Sequence, residues 1–312
     1  MRPAPATPAR KATAGPAGDE KVSIRRVCAL VNPASGSVTA DMVDELAKLL
    51  ADFGLSHQVT ALEPGRFEAM TRAAIDAEPD LVVVLGGDGT ARSVIELCGA
   101  EGPVVAPLSG GTINKLGRAL YGGVTWREAL GEALDHGCAR WMSSGRIEGH
   151  SFYCRSTVGA PALLAQAREA IRARRLGRAV RRTVSASRRV RRMRLGYQFD
   201  GAVGRGSIIG LISPNCSRAP YATEDALEAA VFDLPNARAG VRVAINNLFR
   251  DWREAPNVRA HPFASGRVWA NEPITAMLDG EFFAFGRQIQ VEVQPRAFRA
   301  LTSARARRKP AS

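Results

Sequence analysis

Residues 81–95 read LVVVLGGDGTARSVI, a run of five apolar residues that enters three glycines, a carboxylate and a hydroxyl. The types at Gly86, Gly87, Asp88, Gly89 and Thr90 suit phosphate chemistry. Glycines without a Cβ can take positive φ, so that backbone N–H groups turn toward phosphate oxygens. The helix that follows adds the positive end of its dipole. Asp88, a lone carboxylate among such amides, would repel phosphate unless it partners Mg²⁺ directly or through water. The alternative is that it caps the next helix.

Two more turns share this character. PLSGGTINKLGRAL begins at Pro107, and its Gly110 lies one strand-helix unit beyond Gly86. NPASGS follows the first apolar run, with Asn32, Ser35 and Gly36 as small polar contacts. Three glycine-rich turns on one sheet edge predict nucleotide binding. The G-x-x-x-x-G-K-[ST] loop and the protein-kinase H-R-D are both missing, which excludes those two nucleotide-binding classes. The four histidines fit no catalytic pattern.

The elements that must position these turns alternate. RRVCALVNP is a strand stopped by Pro33. In DMVDELAKLLADFG, Met42, Val43, Leu46, Leu49, Leu50 and Phe53 mark one helical face, closed by Gly54. HQVTAL, LVVVL and VVAP are strands; RFEAMTRAAIDA, ARSVIELC, NKLGRAL and WREALGEAL are helices. This rhythm predicts an α/β fold: a doubly wound, mostly parallel N-terminal sheet covered on both faces. From about residue 138 strands dominate: ARWMSS, SFYCRST, MRLGYQFD, GSIIGLIS, VRVAINNLF, ITAMLDG and QIQVEVQ. The boundaries expected are a disordered Pro/Ala-rich tail over 1–22, a nucleotide-binding domain over 23–137, a β-rich domain over 138–302 and a basic tail over 303–312.

Composition narrows the partners. The chain has 312 residues and a formal net charge of +13, which predicts an anionic partner. No window reaches the ~18 apolar residues of a membrane span, so a cytoplasmic protein is expected. The five cysteines are scattered without a C-x-x-C pair and read as reduced core residues. Residues 168–195, REAIRARRLGRAVRRTVSASRRVRRMRL, carry most of the excess charge with no clean apolar stripe. Such a stretch is either a solvated face or a dock for an anionic membrane surface, where each basic residue contributes ~1 kcal/mol. No aromatic platform accompanies the arginines, so no nucleic acid is expected.

In this order, VNPASG, GGDGT, PLSGGTINKLGRAL and a late LDGE (Leu278 to Glu281) resemble the catalytic domain of the diacylglycerol kinase family. The branch resembled is that of the bacterial lipid kinases, related to sphingosine and ceramide kinases, and the resemblance runs from about Arg26 to Ala300. It implies an ATP-binding α/β domain and a C-terminal β-sandwich presenting the lipid, with the active site in the cleft between them. It also implies ATP and Mg²⁺ as cofactors and a diacylglycerol-like lipid alcohol as acceptor. The enzyme would then be a cytoplasmic phosphotransferase, peripherally membrane-associated. Carried over by position, Asn32, Ser35, Gly36 and the 86–90 turn line the nucleotide, with Gly111, Thr112, Asn114 and Arg118. Asp88 organises Mg²⁺ and its waters; Asp279 accepts the proton of the lipid hydroxyl, with Glu281 beside it. By itself LDGEFF also reads as a hairpin turn.

The chain departs from the family's pattern in three places. Ala91, Arg92 and Ser93 replace a Leu-Asn-Glu-like run, and Lys115 stands where an acidic residue is common. In PNCSRAPYATEDALE, Asp225 is the best match to a metal-binding aspartate, but Ala226 replaces its glycine. Three alternatives stay beside the lipid kinase: a sphingoid-base or ceramide kinase, a soluble kinase of the NAD-kinase type, and a catalytically weak relative that binds nucleotide or lipid.

Overall fold

The structure, a computed structural model, describes residues 21–159, 194–233, 253 and 258–303. Four parallel strands, β1 (Arg26–Val31), β2 (Ser56–Ala61), β3 (Leu81–Gly86) and β4 (Val104–Ser109), stand in the order β2-β1-β3-β4. The chain leaves β1 toward one side to make β2 and returns to the other side for β3. The turns after β1 and β3 therefore open side by side, at the reversal point where parallel sheets bind ligands. All six residues of β3 are buried, as a central strand covered on both faces requires.

Helices α1 (Met42–Asp52), α2 (Phe67–Asp76), α3 (Asp88–Cys98), α4 (Lys115–Tyr121) and α5 (Trp126–His136) flank this sheet. The apolar period supplies their inner faces: Leu46, Leu50, Val94, Ile95 and Leu130 are fully buried in one core. Each such side chain contributes roughly 1.5–3 kcal/mol. α5 opens on a capping box, in which Thr125 Oγ1 accepts from the Glu128 N–H at 3.3 Å and Glu128 Oε2 accepts from the Thr125 N–H at 2.9 Å.

Beyond α5 the strands are β5 (Cys138–Ile147), β6 (His150–Phe152), β7 (Arg155–Val158), β8 (Leu195–Phe199), β9 (Ala202–Gly206) and β10 (Ile208–Ile212). They continue with β11 (Leu227–Phe232), β12 (Val258–Phe263), β13 (Ser265–Trp269), β14 (Thr275–Leu278), β15 (Glu281–Ala284) and β16 (Gln288–Thr302). An antiparallel sheet runs β12-β11-β10-β7-β14-β15. It packs over a second core, with Phe152, Phe199, Phe263 and Ile289 among its largest side chains, against antiparallel strands continuous with the first sheet. The fold is thus α/β with a mostly parallel N-terminal sheet and a separate antiparallel sheet in the C-terminal part.

The last strand joins the two cores. Residues Gln288–Trp269 and Glu292–Ser265 pair β16 with β13, while Ala300 pairs in parallel with Val105 of β4. A register shift between Gln294 and Phe298, with Arg296 at φ 53°, turns the strand from one core toward the other.

Several strand readings change. SFYCRST is two strands, β6 and β7, broken at Tyr153–Cys154. β11 begins at the end of PNCSRAPYATEDALE, where no strand was among those expected. Val22, placed in the disordered tail, packs against the first core. Residues 1–20, the VRVAINNLF strand, residues 304–312 and all but Arg194 and Leu195 of the basic stretch lie outside the described residues. No helix among the described residues is long and apolar enough to cross a membrane.

Candidate active site

The three glycine-rich turns do meet on one edge, but their glycines work differently from the expectation. None of Gly86, Gly87, Gly89, Gly110 or Gly111 has positive φ, and Gly87 sits at φ −84°, ψ 174°. What the turns require is close approach. A Cβ on Gly111 would stand 2.7 Å from Gly87 Cα, and one on Gly110 2.9 Å from Gly86 N. A Cβ on Gly36 would lie 3.1 Å from Thr112 Oγ1. Gly87 and Gly89 are the exceptions: a Cβ on Gly87 would make ordinary contact at 3.8 Å, and one on Gly89 would meet nothing within 4 Å.

Polar side chains knit the turns together. Asn32 Nδ2 donates to Thr90 Oγ1 at 2.7 Å, and its Oδ1 accepts from the Ala34 N–H at 3.0 Å. Ser35 Oγ accepts from the Gly87 N–H at 3.1 Å, so that amide is already engaged. Asn114, left-handed at φ 51°, closes the second turn on itself: Oδ1 accepts from the Gly111 N–H at 2.7 Å and Nδ2 donates to the Gly111 carbonyl at 2.6 Å. Asn32, Ser35 and Asn114 therefore build the edge, while Gly89, Thr112 and Arg118 are its exposed members.

Asp88 is the first residue of α3, and Gly87 occupies the cap position, so Asp88 does not cap its own helix. Its Oδ1 instead accepts from the Leu116 N–H in the first turn of α4, at 3.3 Å. That single long bond leaves carboxylate capacity on the open edge. The arrangement fits Mg²⁺, which is held by one or two carboxylates plus phosphate oxygens and keeps several waters. Asp225 is exposed in the turn before β11, and no cluster of three metal-ligating side chains forms among the described residues.

LDGE is a two-residue hairpin loop. Leu278 pairs with Glu281 across the β14–β15 hairpin, with Asp279 at φ 49° and Gly280 at φ 115°, as a tight turn demands. The turn is also the most heavily bonded carboxylate of the site. Asp279 Oδ1 accepts from the N–H groups of Cys154 at 3.0 Å and Arg155 at 2.8 Å; Oδ2 accepts from Tyr153 at 2.6 Å. Burial raises the Asp279 pKa, and these three N–H groups with the Arg92 charge pull against that rise. The break between β6 and β7 is the same feature seen from the other side: the three N–H groups face the carboxylate.

The two regions meet at Arg92, a residue not among those expected to act. One turn beyond Asp88 on α3, its side chain is 7% exposed and donates to Glu281 at 2.7 Å and to Glu96 at 3.3 Å. Its guanidinium also lies 5.5 Å from the Phe283 ring centroid. Its i+4 spacing from Asp88 was readable; its partner, far along the chain, was not. Cys154 reports the same convergence. Its thiol pKa is raised by a hydrogen bond with Cys216 and by burial, and then by the charges of Cys216, Asp279 and Asp88. Carboxylates from α3 and from the hairpin thus act on one buried thiol.

A cleft of about 1080 Å³ reaches Cys154 but is not lined by Asp88, Arg92, Asp279 or Glu281. Ile113, Lys115 and Arg118 line it from the second turn and α4, and Cys154 and Arg155 from the loop that holds Asp279. Leu120, Val124, Trp141, Met142 and Ile212 give it an apolar part.

Residues 26–146 match the family model of the diacylglycerol kinase catalytic domain. Three solved structures from Bacillus anthracis strain Sterne, described as diacylglycerol kinases or proposed ones, share the fold. They have 19%, 15% and 20% identity and TM-scores of 0.66, 0.65 and 0.67. Each comparison covers 92% of this chain and 100% of the other. At these identities the likeness speaks for the fold. No curated protein matches the sequence. Asp279 and Glu281 lie beyond the stretch matched by the family model.

Proposed function

We propose that this chain, which carries the catalytic domain of the diacylglycerol kinase family over residues 26–146, transfers the γ-phosphoryl group of ATP to a hydroxyl of a diacylglycerol-like membrane lipid. The observation that carries the reading is the convergence of Asp88 and Asp279 through the Arg92–Glu281 ion pair at 2.7 Å. Phosphoryl transfer needs charge neutralisation on one side and a carboxylate within reach of the attacking hydroxyl on the other. A helix start bearing one and a hairpin bearing the other supply both.

In this reading the exposed edge at Gly89, Thr112 and Arg118 binds the phosphates, and Asp88 would hold Mg²⁺, which would supply charge neutralisation to the phosphate oxygens. Asp279 receives the hydroxyl proton. A carboxylate offers about four acceptor positions. Three take backbone N–H groups, which leaves one, on Oδ2, for the hydroxyl in this reading. The lipid oxygen bonds to the γ-phosphorus, the bond from that phosphorus to the bridging oxygen breaks, and ADP leaves with the electron pair. Burial raises the Asp279 pKa and so makes it a stronger base than an ordinary aspartate.

A lipid acceptor is supported by the apolar part of the cleft and by Phe282, 56% exposed beside Glu281. The basic stretch over 168–195 supplies attraction to an anionic membrane surface. The test is incubation with γ-labelled ATP and vesicles of diacylglycerol, ceramide or sphingosine, followed by lipid extraction. Label in the diacylglycerol-like lipid supports the reading. Label in no lipid, with nucleotide bound, refutes it.

A further inference from the structure

Two of the five cysteines meet beside the loop that holds Asp279. Cys154, in the break between β6 and β7, shares a side-chain hydrogen bond with Cys216, on the turn that follows β10. Both line the same cleft. Cys216 is half-buried, whereas the other four cysteines are buried. The phosphotransfer chemistry uses neither thiol.

The backbone ties the same two turns together. The Ser213 N–H donates to the Cys154 carbonyl at 2.9 Å, and the Cys216 N–H donates to the Ser213 carbonyl at 3.0 Å. Asn215 Nδ2 donates to the Ser143 carbonyl of β5 at 2.6 Å and to the Tyr153 carbonyl at 3.4 Å. Ser217 Oγ donates to the buried Glu228 of β11 at 2.6 Å. The Cys216 turn is thus fastened to two strands. Cys154 belongs to no strand, and its N–H is engaged by Asp279 Oδ1 at 3.0 Å, between the N–H groups of Tyr153 and Arg155. Of the two turns, the one bearing Cys154 has less to hold it.

We propose that Cys154 and Cys216 are an oxidisable pair whose disulfide loosens the backbone grip on Asp279 and so, resting on the reading of the chain as a lipid kinase, slows phosphoryl transfer. Hydrogen peroxide entering the cleft meets Cys216 first, as the more accessible thiol, and oxidises it to the sulfenic acid with release of one water. Cys154 Sγ then attacks Cys216 Sγ. The S–O bond breaks, and hydroxide leaves with the Cys154 proton as a second water. Two thiols lose two electrons, and one peroxide gains them. The Cys216 hydrogen bond and burial raise the Cys154 pKa, which keeps its thiolate scarce; the attack is intramolecular, and that proximity offsets the scarcity. An S–S bond is much shorter than the contact of two hydrogen-bonded thiols. Closing it draws Cys154 toward the fastened turn and shifts its N–H relative to the carboxylate. A dithiol reductant reverses the step by exchange.

The test treats the full chain with excess hydrogen peroxide, then blocks free thiols, digests the protein and weighs its peptides with and without reduction. A peptide linking Cys154 to Cys216 is expected. Hydrogen exchange at the Tyr153, Cys154 and Arg155 amides is expected to quicken about tenfold, the size of one hydrogen bond lost. Transfer from γ-labelled ATP to lipid should fall by about the same factor, and dithiothreitol should reverse all three changes. Cys216→Ala, with Cys216→Ser as a check on packing, is expected to transfer at the untreated rate with or without peroxide. No linked peptide, or a linked peptide with those amides unchanged, overturns the inference and leaves the lipid-kinase reading standing. Unchanged transfer in the linked wild type, or an equal loss of transfer in Cys216→Ala, overturns it as well. A linked peptide with quickened exchange, in a chain that labels no lipid even when reduced, upholds the pair and its effect on the loop while refuting the lipid-kinase reading.

Discussion

Arg92 of α3 and Glu281 of the β14–β15 hairpin are ion-paired at 2.7 Å across 189 residues of chain. Arg92 is almost wholly buried, Glu281 is 56% exposed, and Glu96 holds the other side of the guanidinium. The pair sets the hairpin that carries Asp279 against the helix that carries Asp88. Arg92→Met is predicted to reduce turnover by ~10–100-fold with little change in KM for ATP. A double-mutant cycle with Glu281→Gln is predicted to give a coupling of ~0.5–3 kcal/mol in kcat/KM, the range for side chains in contact. Arg92→Lys restores only part of the rate, because one ammonium cannot match the planar fork that reaches both glutamates. Additive losses in the cycle would mean that the pair does not link the two regions.

The pH dependence follows from Asp279. Burial raises its pKa above the ordinary 3.8, and the Arg92 charge is one of the influences that lower it. The acid limb of kcat/KM is therefore predicted above 3.8, and Arg92→Met should move it higher. For stability the sign is the reverse of the usual aspartate. A carboxyl with a raised folded pKa favours the folded state below its unfolded value, and that contribution is lost as pH rises through the folded one. Rate profiles of wild type and Arg92→Met check the limb; an unmoved limb assigns it to another group.

Gly111 and Gly89 separate packing from ligand approach. Gly111→Ala drives a methyl to 2.7 Å from Gly87 Cα and is predicted to lower Tm and weaken nucleotide binding together. Gly89→Ala meets nothing within 4 Å, so Tm should hold while KM for ATP rises. Thermal melts beside ATP titrations decide this. Unchanged ATP affinity in Gly89→Ala would place the phosphates elsewhere.

These residues also show what could be read from sequence. The glycine turns were legible because local spacing places them at strand ends, and the parallel sheet because its helices repeat with an apolar period. Their mechanism was not, since the need for bare Cα atoms arises between Gly87 and Gly111, which come from different turns. The break at Tyr153–Cys154 was hidden in an unbroken strand-like run, because Asp279, some 125 residues later, makes it. Arg92 stood out only as a departure; nothing near it announces Glu281. β16 read as one short strand, though its 15 residues serve both cores.

Vesicle binding tests the basic stretch independently of the chemistry. Replacing Arg181, Arg182, Arg188 and Arg189 by Gln is predicted to weaken binding to anionic vesicles and to flatten its salt dependence, since exposed charges are screened over ~8 Å at physiological ionic strength. ATP binding should be unaffected. Equal vesicle binding by variant and wild type would remove this stretch as the dock.

The most direct measurement is lipid labelling by Asp279→Asn at saturating ATP, with nucleotide binding and Tm recorded on the same sample. An asparagine offers one carbonyl oxygen to three backbone N–H groups, so some loss of Tm is expected. Nucleotide binding on the glycine edge should persist, and transfer of the γ-phosphoryl group to lipid should fall by the ~10²–10⁴ of a lost general base. Near-normal transfer by a folded, nucleotide-bound Asp279→Asn protein would contradict the account.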